Sequence, residues 1–159
     1  MLDETANGVY VIAVTPFLPD GAVDMDSTDR MVDFYLDAGA TGLTVLGIMG
    51  EAPKLTGAES AAFVKRIVKR VAGRVPVIVG VSAPGFAQME GLTKSVMDDG
   101  AAGVMIAPPG HLRTDDQIVG YYHQAVEFIG DAPFVVQDFP LVTGVQMSVP
   151  VIARIVRDL

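Results

Sequence analysis

Short runs of β-branched and other apolar residues recur at near-constant spacing: Val9–Val14, Gly42–Leu46, Val75–Gly80, Gly103–Ala107 and Pro133–Val136. Their starts lie 33, 33, 28 and 30 residues apart. The runs are almost continuously apolar, the pattern of strands covered on both faces. The longer segments between them carry apolar residues at helical spacing. Asp26–Ala38 aligns Met31, Phe34, Tyr35 and Ala38, and Ala58–Val71 aligns Ala62, Phe63, Ile67 and Val71. Phe86–Asp99 aligns Met89, Leu92 and Val96, and Asp115–Ile129 aligns Ile118, Tyr122, Ala125 and Ile129. A last helix is expected over Val149–Val156.

The punctuation agrees with this reading. Asp26 or Ser27 is placed to cap the first helix and Thr114-Asp115 the fourth. Gly39, Gly73, Gly100 and Gly130 follow helix ends, where a left-handed residue costs glycine little. Five strand–helix units without a hairpin signal predict an α/β fold with parallel strands. Two architectures satisfy the pattern, a doubly wound open sheet and part of a (β/α)8 barrel. A dinucleotide-binding open sheet requires G-x-G-x-x-G after its first strand, whereas here Thr15-Pro16-Phe17 follows. Eight barrel units take about 250 residues, and this chain of 159 offers five units. The expectation is one domain over residues 1–159, the N-terminal part of a single barrel.

Composition narrows the chemistry. Half of the residues are apolar and the mean hydropathy is +0.42, enough for a substantial core. A net charge of −8 with only helix-spaced Lys65-Arg66 and Lys69-Arg70 pairs disfavours nucleic acid and anionic membranes as partners. The absence of cysteine removes disulfides, thiolate metal sites and cysteine nucleophiles. Residues 1–8 are polar and acidic, unlike a signal peptide, and no apolar run approaches a membrane span. A cytoplasmic protein is expected.

In a barrel the chemistry sits on loops after strand C-termini, here TPFLPDG, GIMGEAP, GVSAPG, APPGHLR and QDFPLVTG. The succession TPF, DGAVD, GxxGE, PVIVGV, AGVMIAPP and DFPxxTG carries a resemblance. In that order and spacing, the chain resembles the N-terminal part of the dihydrodipicolinate synthase / N-acetylneuraminate lyase family of class I aldolases. The resemblance runs over essentially all 159 residues and about the first half of a family member. It implies a (β/α)8 (TIM) barrel, a homo-oligomer (dimer or tetramer), no cofactor, and pyruvate or a related 2-keto acid held as a Schiff base on a lysine.

It also implies a role for Gly47, Ile48, Met49, Gly50 and Glu51. In the family this loop reads Gly-Thr-Thr-Gly-Glu and binds the pyruvate carboxylate through hydroxyl and backbone N–H groups. Glycines allow close backbone approach, and successive N–H groups make a concavity for an anion. The backbone donors survive here while both hydroxyls are gone. The competing reading is a tight strand-to-helix turn with Ile48 and Met49 in the core. The family's Tyr-Asn-x-Pro-x-x-Thr-Gly aligns with Gln137 to Gly144, so Gln137 replaces a proton-relaying tyrosine and Val142 an arginine that recognises a second carboxylate. A second tyrosine falls near Pro109-Gly110. The resemblance thus points to a divergent member with a more apolar partner substrate. Gln137 and Asp138 are the candidate catalytic residues, and Thr143 joins the carboxylate loop as a substrate contact. Asp138 alternatively caps the following turn.

By the resemblance, the Schiff-base lysine lies one unit past Gln137 and beyond Leu159, so this segment alone is expected to be inactive. Lys54, Lys65, Lys69 and Lys94 are read as surface residues. His111, in a strand-end loop, is read as a tolerated polar loop residue, with a substrate contact as the alternative; His123 is structural; neither has the neighbours of a metal site. Ser82 has no visible base. The leading expectation is a carbon–carbon or carbon–oxygen lyase. Its alternatives are a keto-acid-binding or half-barrel assembly module without catalysis, and a metal-dependent aldolase.

Overall fold

The computed structural model describes residues 1–159. Five strands form one sheet, β1 (Tyr10–Ile12), β2 (Gly42–Val45), β3 (Val77–Gly80), β4 (Gly103–Ile106) and β5 (Phe134–Val136). They are ordered β1-β2-β3-β4-β5 and every neighbouring pair is parallel. The helices are α1 (Met25–Asp37), α2 (Gly57–Val71), α3 (Phe86–Asp98), α4 (Asp115–Ile129), α5 (Pro140–Thr143) and α6 (Val149–Asp158). All five strands and the five long helices lie where the hydrophobic pattern puts them, and only the short α5 is additional.

Burial decides between the two architectures. The main core joins Leu43, Val45, Val77, Val79, Val104 and Ile106 of the sheet to Phe63, Met89, Val96, Tyr122 and Ile155 of the helices. The alternate strand residues Ile78 and Met105 are buried but stand outside that cluster. They line a groove with Tyr10, Thr44 and Val135. All helices therefore cover one face, and the other face is concave. Consecutive helices also pack in sequence, α1 on α2, α2 on α3, α3 on α4 and α4 on α6. A doubly wound sheet has helices on both faces and a reversal of strand order. Neither is present, and the chain forms about five β/α units of a partial TIM barrel. The central strands are buried throughout, whereas the outer strands β1 and β5 are only partly covered.

Two local expectations are corrected. The cap of α1 is Asp24, whose carboxylate accepts from the Ser27 N–H at 2.9 Å, rather than Asp26 or Ser27. Phe34 is 67% exposed, while Val32 and Thr28 face the core. Phe34 lies two residues, or about 200°, around the helix from Val32. Ala62 likewise turns outward from α2. Thr114 caps α4 as the sequence implies, in a capping box with Gln117, and Thr56 with Glu59 forms a second capping box on α2.

α1 and α2 are tied by two arginine–aspartate forks. Asp29 accepts from Arg66 Nε and Nη2 at 2.8 and 2.7 Å, and Asp33 accepts from both Nε and Nη2 of Arg70. These bonds hold both carboxyls below the ordinary aspartate range. The unfolded chain then binds protons more readily, so the contribution is complete above about pH 4 and lost as the pH falls through the lowered values. The melting temperature is expected to fall below about pH 4, and to fall less in the Asp29→Asn/Asp33→Asn variant. Equal acid sensitivity in scanning calorimetry would remove these pairs from the account. Gly91 in α3 and Gly120 in α4 have open space where a Cβ would stand. Alanine at each is expected to stabilise by about 0.5–1 kcal/mol in urea titrations.

Candidate active site

The loop from Leu46 to Thr56 leaves the end of β2 and turns across the concave face. Leu46 has φ +55°, a left-handed conformation costly for a branched residue. Its carbonyl oxygen occupies the space where a Cβ of residue 80 would be, so only glycine fits at the end of β3. Gly47 stands over the concave face, where an added Cβ would lie 3.3 Å from Met105 Cε and 3.4 Å from Ile12 Cγ2. Two turns follow, closed by Gly50 N–H to the Gly47 carbonyl at 3.0 Å and Glu51 N–H to the Ile48 carbonyl at 3.1 Å. Glu51 is also left-handed, at φ +53°. A single 3-10 turn, Ala52–Lys54, then leads to the capping box of α2.

The N–H groups of Gly47, Ile48 and Met49 donate to no group of the protein. Gly47 and Gly50 are buried, Ile48 is half-buried and Met49 is 57% exposed. The loop is thus a tight turn, as the competing reading holds, but its two apolar side chains are not core residues. Three consecutive unpaired N–H groups, the first on buried Gly47 and followed by buried Gly50, can donate to a carboxylate.

β5 brings Gln137 to the same end of the sheet. Its N–H donates to the Ile106 carbonyl at 2.9 Å, extending the ladder by one residue. By strand alternation its side chain shares the inward side with Val135. That side chain is half-buried and its amide makes no hydrogen bond within the protein. Asp138 is exposed and does not cap α5, whose N-cap is Phe139 without a side-chain bond. The Asp138 charge adds to the burial that pushes the Tyr122 phenol upward, and Tyr122 donates to the Ile106 carbonyl at 3.1 Å. The Thr143 hydroxyl is spent locally. It accepts from Val145 N–H at 3.2 Å and lies 3.3 Å from the Phe139 carbonyl. Three strand spacings separate β2 from β5, about 14 Å along the sheet. The fold therefore sets loop 47–51 and Gln137 on one rim, on opposite sides of two intervening strands.

No lysine joins them. Lys54 is exposed and paired with Glu51, Lys65 with Asp99 and Lys94 with Glu90, and Lys69 is exposed on α2. A solvated amine held by a carboxylate lacks the desolvation an imine-forming lysine needs. No three His, Asp or Glu side chains gather as metal ligands. His111 lies off the concave face, in a cleft between the loops after β3 and β4 and the first turns of α4. Tyr121 lines the same cleft, and burial pushes its phenol up to about 12. No helix is long and apolar enough to cross a membrane. Two supporting roles escaped the sequence reading, that of Gly80 beneath Leu46 and that of Ser82, whose hydroxyl accepts from the Ala107 N–H at 2.8 Å. Gly80 ends β3 and Ser82 follows two residues later, which was their only signal.

Comparison with known proteins gives a consistent result. The family described as the dihydrodipicolinate synthetase family matches residues 5–158. The 4-hydroxy-tetrahydrodipicolinate synthase of Sorangium cellulosum is 35% identical over 150 residues, covering 94% of this chain and 50% of the relative. The solved dihydrodipicolinate synthase of Rhodopseudomonas palustris superposes with a TM-score of 0.95 at 56% identity, over 99% of this chain and 52% of that one. That of Aquifex aeolicus gives 0.86 at 28% identity, over 95% and 51%. The chain spans about half the length of the curated relatives it matches.

The Gly80–Leu46 contact makes a direct prediction. Gly80→Ala must displace backbone rather than a side-chain tip, and is expected to cost about 1–3 kcal/mol in urea unfolding. A loss below about 0.5 kcal/mol would mean that Leu46 relaxes without cost.

Proposed function

Since the chain belongs to the dihydrodipicolinate synthetase family, we propose that it forms the keto-acid-binding side of a lyase site. The complete site would act on pyruvate or a related 2-keto acid through a lysine Schiff base. The observation that carries the proposal is the row of unpaired N–H groups at Gly47, Ile48 and Met49, in a loop whose first residue, Gly47, stands over the concave face. A carboxylate bound there takes up donors that the fold leaves over, without any cationic side chain.

In the proposed reaction the lysine amine, supplied from outside these 159 residues, attacks the keto carbon and water leaves, giving an imine. Loss of a C3 proton gives an enamine, whose C3 forms a bond to the carbonyl carbon of a second substrate. Water then releases the product and the amine. The reverse order cleaves the same bond. Gln137 is proposed to orient the imine-forming water or the second carbonyl through its free amide, which donates and accepts but does not ionise. Asp138, which strand alternation turns to the side opposite Gln137, is proposed to act on the site only through its charge at the strand end, and Thr143 is proposed as a fixed edge of the substrate cavity. Residues 1–159 are proposed as the N-terminal part of one barrel domain. A homo-oligomer, dimer or tetramer, and a cytoplasmic setting complete the reading.

A second reading, keto-acid binding or half-barrel assembly without catalysis in this segment, is favoured by one observation: none of the four lysines lines the concave groove. Pyruvate with borohydride separates the two for the chain as it stands. The expected outcome on intact mass is no reduced adduct. An adduct that maps to Lys54 would move the nucleophile into this segment and overturn the assignment of the lysine. Separately, pyruvate is expected to shift the amide resonances of Gly47, Ile48 and Met49 in nitrogen-15 spectra, and Met49→Pro, which deletes one donor, to weaken that binding about tenfold. Unmoved resonances at saturating pyruvate would remove the carboxylate site.

A further inference from the structure

Four of the five carbonyls from Gly47 to Glu51 are taken up, while the first three N–H groups are free. The Gly47 and Ile48 carbonyls accept from Gly50 and Glu51, and the Glu51 carbonyl accepts from Lys54 N–H at 2.8 Å. The Gly50 carbonyl has no partner within the loop. It is taken up by Thr15 Oγ1, 2.6 Å away, from the segment that follows β1. Thr15 is 4% exposed.

This bond opposes a specific rearrangement. Turning over the Gly50–Glu51 peptide would change φ of Glu51 by about 180°, out of the left-handed region it occupies at +53°. It would thereby relieve a backbone cost of about 1–2 kcal/mol. It would also swing the Gly50 oxygen to the other side of the loop and break the Glu51 N–H bond to Ile48. Turned over, the Gly50 oxygen would face the Ile48 carbonyl to which Glu51 N–H now donates, two acceptors together, and the turn that presents the Ile48 and Met49 N–H groups would open. The Thr15 hydroxyl holds the peptide in the strained orientation.

Thr15 is itself held firmly. Ala13 N–H extends the sheet to the Thr44 carbonyl at 2.9 Å, and the Pro16 carbonyl accepts from the Asp24 N–H at 2.9 Å. Phe17 and Val23 form an antiparallel bridge behind it. The side chain is β-branched, with few rotamers to lose.

We infer that Thr15 is a positioning residue of the anion-binding loop: its hydroxyl takes up the Gly50 carbonyl and keeps the loop a surface of donors. This rests on the keto-acid reading above. It extends that reading to a residue that touches no substrate, and it gives the Thr-Pro-Phe segment a function.

The test is pyruvate titration of the 159-residue chain, read at the Gly47, Ile48 and Met49 amides, with melting temperatures measured in parallel. Thr15→Val and Thr15→Ala remove the hydroxyl, and Thr15→Ser keeps it. The expected result is binding weakened about tenfold in the valine and alanine variants and restored by serine, at concentrations where all are folded. Wild-type affinity in a folded hydroxyl-free variant overturns the inference and leaves the keto-acid reading intact. Failure of valine and alanine variants to fold while serine folds assigns Thr15 to the scaffold alone, and overturns the positioning role. No shift in the wild type overturns both readings together.

Discussion

A parallel strand pair cannot be closed by a tight turn, so every strand of this chain must pass to a helix that returns across the sheet. Because all the returns are made on one face, each strand divides its residues by parity. One set, including Leu43, Val45, Val79 and Ile106, is sealed under the helices. The other, including Thr44, Ile78 and Met105, is given to a concave face whose far side the helices never reach. The loops that leave the strand ends then gather on one rim. Core, cavity and rim follow from that single direction of return.

On this rim the proposed carboxylate binding falls to the backbone rather than to side chains. The two hydroxyls of the related Gly-Thr-Thr-Gly-Glu loop are replaced by Ile48 and Met49, yet three N–H donors remain without partners. A site made of backbone donors depends on geometry alone. That geometry is bought with two left-handed residues, Leu46 and Glu51, and with a glycine at position 80 that leaves room for a carbonyl. Strain of this kind persists only where surrounding structure over-determines it. Here the determinants come from β1 and β3, on either side of the loop's own strand.

The elements themselves were legible because burial imposes periodicity. Asp115–Ile129 could be bounded to the residue, since Thr114 caps it, Gly130 ends it, and Ile118, Tyr122, Ala125 and Ile129 face inward. Phe34 was misplaced because an apolar residue on a solvent face carries no mark of its exposure. The α1 cap was misplaced because Asp24, Asp26 and Ser27 are all competent caps, and only backbone conformation selects among them. Of the site, the glycines and Gln137 were visible as strand-end residues. Thr15 and Gly80 were not, because each acts on a residue more than 30 positions away.

By itself the sequence determined the parallel α/β class and the order of units, because these depend on local periodicity and on residue chemistry at strand ends; the loop that carries unpaired donors was singled out by the family resemblance of its motifs. Tertiary structure alone decided that the helices share one face, that Leu46 lies over Gly80, and that Thr15 meets Gly50. Those contacts join segments distant in the chain, and no local pattern records which hydroxyl will find which carbonyl once the strands are aligned.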